Sequence, residues 1–202
     1  MTKSEGSFFV TNVGKNSELI VITEGALITA LALALSFVPH TTGVSAVEFS
    51  YGLIPMAIFA LRRGVKAGLM AGLVWGILDL VLFGFSKGGF LNPLQGFVEY
   101  PLAFGAVGLI GLGSNQVKES LEHGKNAIGL ILFYSSIGFF AKYFFHFIAG
   151  GIYWGLYAPK NMNPWVYSLV INGGSFVANM IMLLILVVVL NRVFRRLILS
   201  KN

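Results

Sequence analysis

Ionisable and hydrogen-bonding side chains are sparse in this 202-residue sequence, and those that fall within or beside apolar runs are the ones able to do chemistry. Glu99 and Tyr100 stand in the run 93–112, His146 near the end of 127–150, and Tyr167 and Asn172 in the first two turns of 166–190, with Trp154 in the connection before it. One carboxylate, one imidazole, one amide, phenols and an indole suit a small aromatic cation. The carboxylate supplies a counter-charge that acts strongly in a low-dielectric interior. The rings supply faces for stacking and cation–π contact, worth about 0.5–2 kcal/mol each, and Tyr167 and Asn172 supply orienting hydrogen bonds.

Each residue also has a plainer role. Glu99 can be the ion-pair partner of Lys142, and His146 an interhelical hydrogen-bonder. Trp154 and Tyr153 can be interfacial rings, and Tyr167 and Asn172 helix-packing groups. Glu24 and Asp79 are also intramembrane acids and read as structural or as lying near a helix end. The convergence of Glu99, Tyr100, His146, Trp154, Tyr167 and Asn172 on one depth favours a ligand.

Catalysis finds no apparatus. The chain has no cysteine, no Gly-x-Ser-x-Gly turn, no phosphate-cradling Gly-x-x-x-x-Gly-Lys loop and no closely spaced metal-ligand set. Its three histidines, His40, His123 and His146, are scattered. The expectation is a binding protein with no cofactor and no metal, not an enzyme.

The elements that must position these groups follow from composition. The chain is 56% hydrophobic and 11% charged, whereas soluble domains carry about 25% charged residues. A bilayer crossing uses roughly 20 apolar residues, and six apolar runs can be marked: 19–38, 47–61, 67–85, 93–112, 127–150 and 166–190. They are continuously apolar rather than alternating, so the predicted fold class is an all-α integral membrane protein with six transmembrane helices forming one domain over 1–202. The second run is short and must tilt or borrow flanking residues. No length remains for a nucleotide-binding domain, and the first run reads as a retained span rather than a cleaved signal.

Basic residues set the orientation. With the N-terminus inside, Lys3, Lys15, Arg62, Arg63, Lys66, Lys118, Lys125, Arg192, Arg195, Arg196 and Lys201 are cytoplasmic, and only Lys87 and Lys160 are outside. This predicts that both termini are cytoplasmic. The net charge of +6 is therefore topological, and no basic patch with interleaved aromatics suggests nucleic acid. A separate feature is Ala26, Ala30 and Ala34, whose four-residue spacing presents a small-residue face for close helix approach; ordinary packing inside the bundle uses the same spacing.

The chain resembles the thiamine-specific substrate-binding (S) component of energy-coupling factor (ECF) transporters. The resemblance rests on Thr23-Glu24-Gly25-Ala26 with Ala30, Leu61-Arg62-Arg63-Gly64, Leu73-Val74-Trp75-Gly76 and Gln95-Gly96-Phe97-Val98-Glu99-Tyr100. It rests further on the run from Lys142 to Gly150 and on Tyr167-Ser168-Leu169-Val170-Ile171-Asn172-Gly173. The resemblance implies the S-component fold in a bacterial cell membrane and thiamine captured from outside. It implies partnership with a transmembrane scaffold subunit and two cytoplasmic ATPases. It assigns Glu99 to face the thiazolium, His146 to wall that ring and Trp154 to stack on the aminopyrimidine. Tyr100, Tyr167 and Asn172 become hydrogen-bonding groups, Gly150 a backbone contact, Trp75 a further wall, and Ala26 with Ala30 the docking face for the scaffold. Two departures stand out: the loop 39–46 has no Trp, and Gly84, Phe85 and Ser86 stand where the family has a His. The alternatives are an S-component for another vitamin or a thiamine precursor, and a stand-alone secondary carrier.

Overall fold

A computed structural model describes residues 5–39, 47–85 and 89–200, with side chains from Ser17 onward. The loop 39–46 beyond Pro39, with His40, and residues 86–88, with Lys87, lie outside the described residues. The elements are α1 (Glu5–Leu35), α2 (Leu53–Arg63), α3 (Val65–Asp79, continued by a π-helical turn Leu80–Gly84), α4 (Pro93–Glu122), α5 (Ile128–Ile152), α6 (Pro164–Val189) and α7 (Asn191–Leu199). No β-strand occurs among the described residues.

Local sequence explains the boundaries. Asn92 and Asn163 cap α4 and α6 by accepting from Gln95 and Trp165 backbone N–H groups, each followed by a proline that tolerates the first helical position. Gly64 separates α2 from α3 at φ 87°, a conformation that side-chain-bearing residues rarely adopt. Arg62 and Arg63 end α2 and both pair with Glu24 of α1, at 2.9 and 2.6 Å, so Glu24 is structural as expected.

α4 is not one regular helix. Pro101 has no N–H to donate, and the ring crowds the carbonyl one turn back, so Val98–Leu102 opens into a π-helical turn. A 3₁₀ stretch, Val107–Gly113, follows, and the helix then runs on to Glu122, beyond the predicted end at 112.

Close contact between α3 and α4 comes from glycine. Gly68, Gly72 and Gly76 recur every four residues along α3. A Cβ on Gly72 would run into the Phe104 carbonyl, and one on Gly108 into the backbone of Gly68 and Leu69. Small residues at such spacing let two backbones meet where lipid gives no hydrophobic drive to association.

Among the described residues, five helices are long and apolar enough to cross a bilayer: Ser17–Leu35, Val65–Gly84, Pro93–Glu122, Ile128–Ile152 and Pro164–Val189. The predicted run 47–61 departs from expectation. Its helix α2 begins only at Leu53, and 11 residues rise ~16 Å against a ~30 Å hydrocarbon core. The reason lies in residues 47–50, whose backbone is engaged by α6 side chains instead of a helix. Ser175 Oγ accepts from Glu48 N–H (3.0 Å) and Asn179 Oδ1 from Ser50 N–H (2.9 Å), while Asn179 Nδ2 donates to the Glu48 carbonyl (2.7 Å). α2 itself is enclosed: Leu53, Met56, Phe59, Ala60 and Leu61 are almost wholly buried.

Gly72→Ala and Gly108→Ala each gain helix propensity of about 1 kcal/mol but force backbone apart, an overpacking cost of roughly 1–3 kcal/mol or more. The expected result is a lower melting temperature for each purified variant. A raised melting temperature would mean that α3 and α4 do not meet as described.

Candidate ligand-binding site

Glu99 sits in the π-helical turn, 7% exposed, and the turn's extra width aims it at the bundle interior. Two neutral donors hold its carboxylate. Gln95 Nε2 donates at 2.6 Å, and Trp154 Nε1 donates to both oxygens, at 3.0 and 3.2 Å. Gln95 is itself fixed, because its Oε1 accepts the Leu91 N–H at 2.7 Å, which turns the amide's NH₂ toward Glu99. His146 Nδ1 lies 3.7 Å from Glu99 Oε1, too far for a hydrogen bond. The other ring nitrogen, Nε2, is buried and has no partner among the described residues.

Lys142 is the ammonium that Glu99 could have paired with, but the structure pairs it elsewhere. Its side chain, 1% exposed, places Nζ 2.9 Å from Glu48 Oε2. Tyr143 Oη donates to the same oxygen at 3.1 Å and accepts from Asn179 Nδ2 at 2.8 Å. Lys142 also lies 4.4 and 4.9 Å from the Tyr143 and Phe104 ring centroids, within cation–π range. The Glu99–Lys142 ion pair considered from sequence is therefore absent, and Glu99 is left without a basic partner in hydrogen-bonding contact among the described residues.

Phe104 is the hub of the rings. Trp75 meets it edge-on at 4.6 Å, His146 edge-on at 6.2 Å, and Tyr100 stacks on it at 6.3 Å with 9° between planes. Trp75 is fully buried against this ring, and its Nε1 finds no acceptor among the described residues. Tyr100 donates from Oη to the Gly89 carbonyl at 3.2 Å. A cavity of about 220 Å³ adjoins them, with Tyr100, Phe104, Glu48, Asp79 and Tyr51 in its wall. Asp79 is thus part of a polar chamber as well as the end of α3. A wider groove of about 530 Å³, lined by α3, α4 and α5 through Leu73, Pro101 and Phe144, is purely apolar and has nothing to recognise a polar ligand.

The structure brings Glu99, Trp154 and His146 together, with Tyr100 and Trp75 around Phe104. Gly150 and Asn172 meet elsewhere, at the α5–α6 contact. There a Cβ on Gly150 would collide with Ser168, and Asn172 Nδ2 donates to the Ser168 carbonyl (3.0 Å) and Oγ (3.2 Å). Tyr167 is half-buried in the first turn of α6, and its hydroxyl makes no hydrogen bond among the described residues. Trp154 begins a 3₁₀ turn, Trp154–Tyr157, with its ring 5.5 Å from Tyr157. Ala26 and Ala30 lie on the exposed side of α1, while Gly25 and Thr29 face inward, Thr29 donating to the Ala71 carbonyl at 3.2 Å.

Sequence reasoning missed Gln95, Glu48, Phe104, Tyr143 and Asn179. Gln95 stands four residues before Glu99, the spacing that puts two side chains on one helix face. Glu48 and Asn179 are polar groups inside apolar runs, which is the signal that singled out Glu99.

These features define a class: a multi-pass membrane protein whose apolar bundle encloses a carboxylate held among aromatic rings. The profile of the family described as thiamine transporter protein (Thia_YuaJ) matches residues 22–199, and the chain belongs to that family. Thiamine transporter ThiT of Lacticaseibacillus paracasei (strain ATCC 334) is 50% identical over 198 residues, covering 93% of this chain and 94% of that protein. Thiamine transporter ThiT of Bacillus subtilis (strain 168) is 29% identical over 180 residues, covering 84% and 88%. A solved structure of ThiT from Listeria monocytogenes superposes with a TM-score of 0.80 at 34% identity, over 91% of this chain and 100% of that one.

The Glu48–Lys142 pair makes an asymmetric prediction. Glu48→Gln strands a fully buried ammonium and should lower stability by about 3 kcal/mol. Lys142→Met leaves Glu48, whose side chain is 29% exposed, to water and should cost less. The double variant should recover most of the Glu48→Gln loss in thermal unfolding; equal losses from both single changes would contradict the pairing.

Proposed function

We propose that this chain is the thiamine-capturing S-component of an ECF-type importer. On this reading, thiamine is taken up from outside and handed inward by a scaffold subunit driven by two cytoplasmic ATPases. The observation that carries the reading is Glu99. It is a buried carboxylate bound only by neutral donors, with an indole at one side and a ring cluster at the other, while the neighbouring ammonium is engaged by Glu48. A permanently cationic thiazolium supplies the missing charge without needing a proton.

In this arrangement Trp154 both fixes the carboxylate through its N–H and offers a face to the aminopyrimidine. His146 walls the thiazolium, and its unpartnered Nε2 is free to meet a ligand atom. Tyr100 lines the cavity beside Phe104, which Trp75 backs, and on this reading Tyr167, Asn172 and Gly150 reach the ligand from the α5–α6 side. Asn172 has to release its bond to Ser168 to reach a ligand. Binding and hand-over need no chemical step, so the chain acts as a carrier subunit and not as an enzyme.

The same reading takes all six apolar runs as crossings of one domain, with residues 47–52 extending α2 and both chain termini in the cytoplasm. The gathering of Arg62, Arg63, Lys66, Lys118 and the arginines of α7 at one end of the bundle supports that orientation. The exposed Ala26 and Ala30 provide the face on which the scaffold subunit docks.

Removing the counter-charge by Glu99→Gln should weaken thiamine binding by roughly 2–5 kcal/mol in titration calorimetry; an unchanged affinity would reject Glu99 as the cation's partner. Leucine at both Ala26 and Ala30 should abolish ATP-driven uptake by the assembled transporter while leaving thiamine affinity within about twofold, because bulk there blocks helix approach. Loss of binding as well would make that face part of the core.

A further inference from the structure

We propose that α7 is an in-plane membrane helix whose arginines bind the headgroups of anionic phospholipids. The helix follows α6 after a single non-helical residue, Leu190, and its nine residues divide into three faces. Phe194 and Ile198, 3% and 1% exposed, point into the bundle, where α7 packs on α2 and on the last turns of α4. Val193 and Leu197 lie on the neighbouring face and are exposed. Arg192, Arg195 and Arg196 occupy the remaining face, also exposed.

Bundle packing accounts for the first face only. The second continues the lipid-facing surface of α6, where Val188 and Val189 are exposed, through the exposed Leu190 that links the two helices. An apolar stripe running from a membrane-spanning helix onto a short helix beside it belongs in the acyl region, not in water. With that stripe in the bilayer and Phe194 and Ile198 in the bundle, the third face sits at headgroup height.

Charge selects the occupant. None of the three guanidiniums forms an ion pair among the described residues, whereas Arg62 and Arg63 nearby are engaged by Glu24. Three unneutralised guanidiniums at headgroup height match phosphodiester oxygens, which a guanidinium can bind in a bidentate manner. A leaflet rich in anionic lipid raises the attraction further, and salt weakens it.

The test uses the whole chain in nanodiscs of phosphatidylcholine, with or without phosphatidylglycerol, read by hydrogen–deuterium exchange. Phosphatidylglycerol should slow exchange of residues 191–199 by about tenfold or more. High salt should reverse the effect, and R192Q/R195Q/R196Q should abolish it without altering exchange in α3 to α5. The wild-type comparison between lipids stands even if the triple variant misfolds. Equal exchange in the two lipids would overturn the proposal. So would protection that appears only when the scaffold and ATPase subunits are added to phosphatidylcholine discs, which would make the basic face a protein-docking surface.

Discussion

A carboxylate enclosed in a low-dielectric bundle is costly unless something compensates it, and Glu99 is compensated only in part. Gln95 and Trp154 satisfy its lone pairs with hydrogen bonds but contribute no charge. The ammonium that would otherwise quench it is held at Glu48, tied further by Tyr143 and Asn179. Separating these two acids and one base in this manner leaves Glu99 without a cationic partner in hydrogen-bonding contact among the described residues. The proposed cation specificity follows from that unequal pairing.

The architecture serves this separation. Pro101 opens the π-helical turn that directs Glu99 inward, and the glycines of α3 let Tyr100 and Phe104 approach Trp75 closely. Residues 47–50 carry Glu48 to Lys142 because Ser175 and Asn179 of α6 take up their backbone hydrogen bonds. Helix α2 gives up length to make this possible, and its enclosure by α1, α3, α4 and α7 offsets the shortness.

Much of this was legible in the sequence. The continuous apolar runs matched five of the helices to within a few residues at most ends, and intramembrane polarity singled out Glu99 and His146, with Trp154 in the adjoining loop. Three things were not legible. The start of the helix within the run 47–61 was one, because hydropathy cannot register that Asn179, 129 residues away, binds the Ser50 backbone. The choice between Glu48 and Glu99 as partner of Lys142 depends on helix rotation, which a π-helical turn shifts and a regular helical spacing misplaces. The orientation of Asn172 was the third: its amide is turned onto Ser168 of its own helix, the local bonding that short polar side chains favour in apolar helices.

The most direct measurement is a two-by-two calorimetric cycle that compares thiamine with its neutral isostere, in which the thiazolium ring is replaced by an uncharged ring of the same shape, on the wild-type chain and on Glu99→Gln. The account predicts that the wild-type chain strongly prefers the cation and that the variant loses most of that preference while retaining the isostere's affinity. Equal wild-type affinity for the two ligands, or a preference unaffected by the substitution, would contradict it.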